Sequence, residues 1–140
     1  IFRTSAKNVR FACLNFSGLK LKSKHFASLL DALADPSIEI DTLILNKAMS
    51  SIGNRSKSKA LQKQQNIGNR LALLAQRIHA LSIANGYAYP ILSQFLEQLV
   101  TNKTLLELDI SQNRANDRVA SALASFLHYN DHLVSLHLDE

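Results

Sequence analysis

The stretch LLELDISQN (residues 105–113) decides the fold. Leu108 and Ile110 alternate with polar residues, which is the period of a half-buried strand. Moved along by 28 residues, Leu105, Leu108 and Ile110 fall on Leu133, Leu136 and Leu138. The segment before it obeys the same shift: Leu92, Phe95, Leu96 and Leu99 fall on Ala120, Leu123, Ala124 and Leu127, and Asn102 on Asn130. The 92, 95, 96, 99 spacing is one face of a helix. Each unit is therefore expected to be a helix, a turn and a short strand. A segment that returns at a fixed period is the mark of a repeat architecture.

Weaker copies extend backwards. IHALSIANG places Ile78, Leu81 and Ile83 in the same columns, IDTLILNKA places Ile40, Leu43 and Leu45, and FACLNFSGL places Phe11, Leu14 and Phe16. Phe26, Leu29, Leu30 and Leu33 supply the helix between the first two. Strands are expected to start near residues 11, 40, 78, 105 and 133. Pro90 suits a first helical turn, and Asp117 is the expected N-cap of the last helix. The interval from Ile40 to Ile78 is 38 residues and breaks the period. Residues 47–70 fill it with six basic residues and no acidic one. That segment reads as a polar loop leading into a helix from near Ser58 toward Gln76, with Gly68 a weak point in it.

The pattern L-x-x-L-x-L-x-x-N at a period of 27–29 residues resembles leucine-rich repeats of the long, helix-containing, ribonuclease-inhibitor-like type. The resemblance implies a right-handed α/β solenoid with parallel strands on the concave side and helices on the convex side. The physical reason is that one helix–strand unit cannot bury its apolar face, whereas stacked units bury a continuous core. Asn113 is expected to turn its amide onto unpaired backbone groups in the loop after the strand. Gly86 and Ala48 occupy that column in earlier units.

The 140 residues are 46% hydrophobic, enough for one sizeable core, and no apolar run approaches the length of a membrane span. The chain starts at Ile1 without a signal-peptide pattern, and neither end carries a polar capping unit. Residues 1–140 are thus expected to be a single segment of a longer array. Cys13 is the lone cysteine, which points to a reducing compartment, while Asn15, Asn54 and Asn102 head sequons that would matter in a secreted chain. Residues 1–77 carry 13 Lys/Arg against 4 Asp/Glu, a balance of +9, and residues 78–140 carry 3 against 7, a balance of −4. Such polarity points to partners rather than to a fold.

No catalytic signature is present: there is no phosphate-binding glycine loop, no GxSxG and no HExxH. His128, His132 and His137 lack a cysteine or carboxylate partner, so no metal and no cofactor is expected. The chain is read as non-enzymatic. By strand alternation the residues between the core leucines point away from the core. They form a surface that is small and neutral in the middle and acidic at its end, where Glu107, Asp109, Ser111, Ser135, His137 and Asp139 are the expected partner-binding residues. Arg55, Lys57, Lys59 and Lys63, on the basic loop, are a second expected surface for an acidic protein or an anionic lipid. Nucleic acid is not expected, because no aromatic residue is interleaved with the cations for base stacking.

LILNKA (residues 43–48), the basic loop with KSKAL (57–61), LSIAN (81–85), NKTLLELDIS (102–111) and LASFLHYNDHLVSLHLD (123–139) resemble, in that order, consecutive repeats of the CARMIL family. The resemblance spans most of residues 40–140 and departs at NGYAYPI (85–91). It implies a cytoplasmic scaffold at the cytoskeleton and the inner face of the plasma membrane. CARMIL proteins regulate actin assembly through capping protein and link to class I myosin. The family's capping-protein motif follows the repeats, so this segment is expected to be a platform that does not itself uncap filaments. Homodimerisation through a parent chain is a further expectation. Alternative readings are a ligand-sensing array of an immune sensor or bacterial effector, and a GTPase-activating repeat protein using an exposed arginine such as Arg114.

Overall fold

The computed structural model describes residues 9–49 and 57–139, and the side chains of these except at 57–60. The elements alternate along the chain: β1 (Val9–Asn15), α1 (Ser23–Leu33), β2 (Ile38–Ile44), α2 (Lys57–Ala75), β3 (Ala80–Ser82), α3 (Tyr89–Leu99), β4 (Glu107–Asp109), α4 (Asp117–Tyr129) and β5 (Ser135–His137). The five strands form one sheet in chain order, and every neighbouring pair is parallel. Parallel neighbours cannot be joined by a tight hairpin and need a crossover, which the four helices provide. The helices pack side by side in the same order. The fold is α/β and compatible with an α/β repeat.

Strand register follows the leucine columns. Leu14 lies beside Leu43, Leu43 beside Leu81, Leu81 beside Leu108, and Leu108 beside Leu136. The ladder runs one step past each strand, since the amides of Phe16, Leu45, Ile83 and Ile110 donate to Ile44, Ser82, Asp109 and His137. The leucines face the helices and form one core with Phe26, Leu30, Ile67, Leu71, Leu92, Phe95 and Phe126. The strand boundaries differ from expectation. β1 and β2 begin at Val9 and Ile38, two residues early, and β3, β4 and β5 at Ala80, Glu107 and Ser135, two residues late. Leu105 is buried ahead of its strand, reaching the core from the loop.

The face of α4 is a second correction. Val119, Ala122 and Phe126 are its buried residues, whereas the expected Ala120, Ala124 and Leu127 are exposed and Leu123 is half-buried. The helix therefore repeats α3 at 27 residues (Leu92 to Val119, Phe95 to Ala122, Leu99 to Phe126), while the strands repeat at 28. The last helical turn of α4, between Phe126 and Asn130, absorbs the additional residue. The N-cap of α4 is Asn116, whose side-chain oxygen accepts from the Val119 amide, so Asp117 sits in the first turn instead. There its negative charge favours the positive helix end. Pro90 does stand in the first turn of α3, where its missing N–H costs nothing.

Three polar side chains tie successive units together. Asn113 donates to the carbonyls of Ile83 and Ile110 and accepts from the Tyr87 amide at 2.8 Å. Asn130 donates to the carbonyls of Leu99 and Asn102 and accepts from the His132 and Leu133 amides. Two units before Asn130, Arg77 spans the corresponding seam, donating to the carbonyls of Ala34, Asp35 and Ile38. Asn113→Ala would leave an amide and two carbonyls without these partners. The expected loss is about 2–3 kcal/mol, the scale for stranding part-buried polar groups. Chemical denaturation measures it, and a loss below about 0.5 kcal/mol would remove Asn113 from this role.

Tyr87, in the stretch that departs from the expected repeat, fills the core. It is 2% exposed, tilts against Phe26 at 6.0 Å and donates its hydroxyl to the Leu45 carbonyl. Burial pushes that hydroxyl well above the usual phenol range. Among the described residues no helix is long and apolar enough to cross a membrane.

Candidate functional site

One face of the sheet carries the helices, and the other carries the residues between the leucines. Among the described residues no helix covers that second face, which is ordered in rows. Cys13, Thr42, Ala80, Glu107 and Ser135 are register partners across the five strands, and Asn15, Ile44, Ser82, Asp109 and His137 form the next row. The Glu107–Ser135 and Asp109–His137 pairs bring four of the expected partner-binding residues into one patch at the β4–β5 end. The rows are apolar or neutral toward the middle and charged at this end.

Hydrogen bonds within the face decide which groups remain for a partner. Asn15 and Asp109 each turn a side-chain oxygen onto the amide two residues on, at Ser17 and Ser111. Asn46 accepts from the Ser82 hydroxyl and the Ala84 amide, both at 2.7 Å. These acceptors shape the loops after the strands and are committed there. Glu107 makes no such bond among the described residues and is exposed. The second oxygen of Asp109 stands 3.5 Å from the Ser82 hydroxyl, a loose contact that leaves it accessible. The His137 ring lies 3.2 Å from the Ser135 hydroxyl and is exposed, as is Asp139. Ser111 departs from expectation: it is 9% exposed, and its carbonyl is taken by the Asn85 amide. Its amide is held by the Asp109 carboxylate, and little of its side chain reaches the surface.

The Ser135–His137 contact has the residue types of a nucleophile and base. The two stand on the same face of one short strand, Ser135 half-buried and His137 exposed, which is where strand alternation puts residues two apart. Among the described residues no three histidine, cysteine or acidic side chains converge as a metal site would need.

The helix expected from near Ser58 toward Gln76 is present within one residue of those bounds, and what differs is that the lysines grouped with the basic loop lie on it. The helix starts at Lys57 and runs unbroken to Ala75, so Lys57, Lys59 and Lys63 stand on α2. Arg55 lies outside the described residues. The helix forms through Gly68 because that residue is a contact, not a break: a Cβ there would meet the Ile91 carbonyl oxygen at 2.7 Å and the Gln94 Cβ at 2.9 Å. Lys63 is exposed on the side of α2 that faces α1. The first three units are thus basic on their helix side and the last two acidic on their sheet side. Compared with protein-family models and with curated protein sequences, the chain matches none.

Proposed function

We propose that the chain is part of a right-handed leucine-rich-repeat solenoid, strands concave and helices convex, that acts as a non-enzymatic protein-interaction scaffold. The observation that carries this reading is the uncovered sheet face. Its rows are in register across all five strands and end in Glu107, Asp109 and His137, with Asp139 just past the last strand; Glu107, His137 and Asp139 are exposed, and the Asp109 oxygen not used by the loop makes only a loose contact. Stacked-repeat proteins use such a strand face to bind protein partners. The patch holds charge but no large aromatic anchor, so it favours an electrostatically steered contact with a basic partner. The order of sequence motifs supports a CARMIL-like regulator of actin assembly, working in the cytoplasm at the cytoskeleton and the membrane's inner face. On that reading class I myosin is the partner to test first, and a lysine-bearing face of α2 is a second surface for an acidic protein or anionic lipid.

Binding of the chain to the tail of a class I myosin, measured by calorimetry at low and high salt, tests the proposal. The double variant Glu107→Lys/Asp109→Lys should weaken binding by about tenfold or more, because like charges then face a basic partner. Wild-type binding should weaken as salt rises. Binding that ignores both the reversal and the salt would take the acidic patch out of the interface. Absence of any binding would count against the myosin assignment.

A further inference from the structure

The most thinly packed helix seam is the one between α1 and α2. A cleft of about 140 Å³ opens there, lined by Ser23, Lys24 and Ala27 of α1 and Lys63, Asn66, Ile67 and Arg70 of α2. Two different helices thus direct three cations toward one small concavity. One carboxylate answers them: Asp31 pairs with Arg70 at 3.1 Å, both side chains remaining partly exposed. That leaves two positive charges without a carboxylate partner at the cleft, those of Lys24 and Lys63. Among the described residues neither ammonium group has a hydrogen bond or ion pair, the one side-chain bond at Lys24 being that of its backbone carbonyl to the Ser28 hydroxyl. Helix α2 contributes no acidic residue along its whole length. The walls formed by Ala27 and Ile67 are apolar, while Ser23 and Asn66 add a hydroxyl and an amide. At the mouth, the cap position of α1 is Lys22, which supplies no side-chain acceptor to the first turn.

We propose that this cleft binds a phosphomonoester group, with Lys24, Lys63 and Arg70 as its cationic ligands. The match is one of charge, shape and size. A phosphomonoester carries about −1.5 to −2 charge and three acceptor oxygens. Two uncompensated cations, with a guanidinium able to fork onto two oxygens, suit it better than a single planar carboxylate. The cleft is too small to seat a helix or a folded partner, and the apolar wall suits the carbon beside an ester oxygen. The site stands on the helix side of the molecule and does not depend on the sheet face being an interface. The phosphate can come from a soluble metabolite or from a lipid headgroup, and the chemistry at the cleft is the same.

Amide NMR of the whole chain, titrated with inorganic phosphate and with glycerol phosphate, reads the site directly. Saturable shifts are expected at residues 23–27 and 63–70. Lys24→Ala and Lys63→Ala, each a change at an exposed side chain, should weaken binding by about tenfold, the scale of one charge-assisted contact. Asp31→Asn should tighten it by releasing Arg70, a gain that structural damage would not produce. Vesicles of phosphatidylcholine with phosphatidic acid, against vesicles with phosphatidylserine, separate the sources. Recruitment to phosphatidic acid alone would put the phosphate on a lipid. Binding of glycerol phosphate without vesicle recruitment would make it a soluble ligand. The proposal is overturned by shifts that never saturate, by shifts spread over all lysines, by affinity unchanged in the three variants, or by equal recruitment to both anionic vesicles.

Discussion

Leu108→Ala should destabilise the chain by about 2–5 kcal/mol, while its neighbour Asp109→Ala should cost less than about 1 kcal/mol. Leu108 is 0% exposed and lies in the middle of the leucine row, between Leu81 and Leu136. Strands on both sides and the helices above hold its surroundings in place, so the site cannot collapse to fill the space left by a truncated side chain. Asp109 points to the opposite face, and its carboxylate holds only the Ser111 amide and a loose contact to Ser82. Denaturant unfolding of both variants checks the pair. Equal midpoints would mean that the strand presents its two faces the other way round or presents neither to a core.

Gly68→Ala should also destabilise, by about 1–3 kcal/mol, the range for forcing extra volume into a packed interior. Helix propensity alone points the opposite way, because alanine is favoured over glycine inside a helix by about 1 kcal/mol. Packing wins here because the groups in the way are backbone and Cβ atoms. The nearest are the Ile91 carbonyl oxygen at 2.7 Å, the Gln94 Cβ at 2.9 Å and the Phe95 nitrogen at 3.2 Å. None of these can swing aside as the tip of a long side chain would, so α2 and α3 would have to separate. That seam contains Ile67, Leu71, Ile91 and Phe95, all buried. A variant more stable than the parent by thermal or chemical unfolding would show that the two helices do not cross this closely.

The parts of the fold that were legible in the sequence are those where one apolar spacing had no rival. In α3 the residues Leu92, Phe95, Leu96 and Leu99 were expected on one face, and all four are buried. In α4 two stripes compete: Ala120, Leu123, Ala124 and Leu127 have helical spacing, and so do Val119, Ala122 and Phe126. The aromatic ring of Phe126 went inside, Leu127 was left 56% exposed, and the last helical turn took up the odd residue. The outermost columns of the array did not bury as expected either. Phe11 is 36% and Leu138 46% exposed, because β1 and β5 have a neighbouring strand on one side only among the described residues.

The seam residues differ in how visible they were. Asn113 sits in a recurring column and its role followed from its place after the strand. Arg77 and Tyr87 act on carbonyls about 40 residues away in the chain, at Ala34 and Leu45, so no local pattern marks them. On the sheet face, alternation placed Glu107, Asp109 and His137 correctly in rows. It could not foresee that Asp109 would hold the Ser111 amide and that little of the Ser111 side chain would reach the surface. The α1–α2 cleft escaped notice for a similar reason: Lys24 and Lys63 are 39 positions apart and meet only once the two helices pack.

The uncovered sheet face as the partner-binding surface is tested most directly by thiol protection. The lone native thiol, Cys13, is replaced by serine, and single cysteines are placed at Ser135, on the sheet face, and at Lys63, on the helix side. Reaction with a maleimide is then timed with and without a class I myosin tail. The partner should slow modification at position 135 by about tenfold or more and leave position 63 unchanged, as expected for a contact buried in a specific interface. Protection at position 63 with position 135 still freely reactive would contradict the assignment and move the interface to the helices.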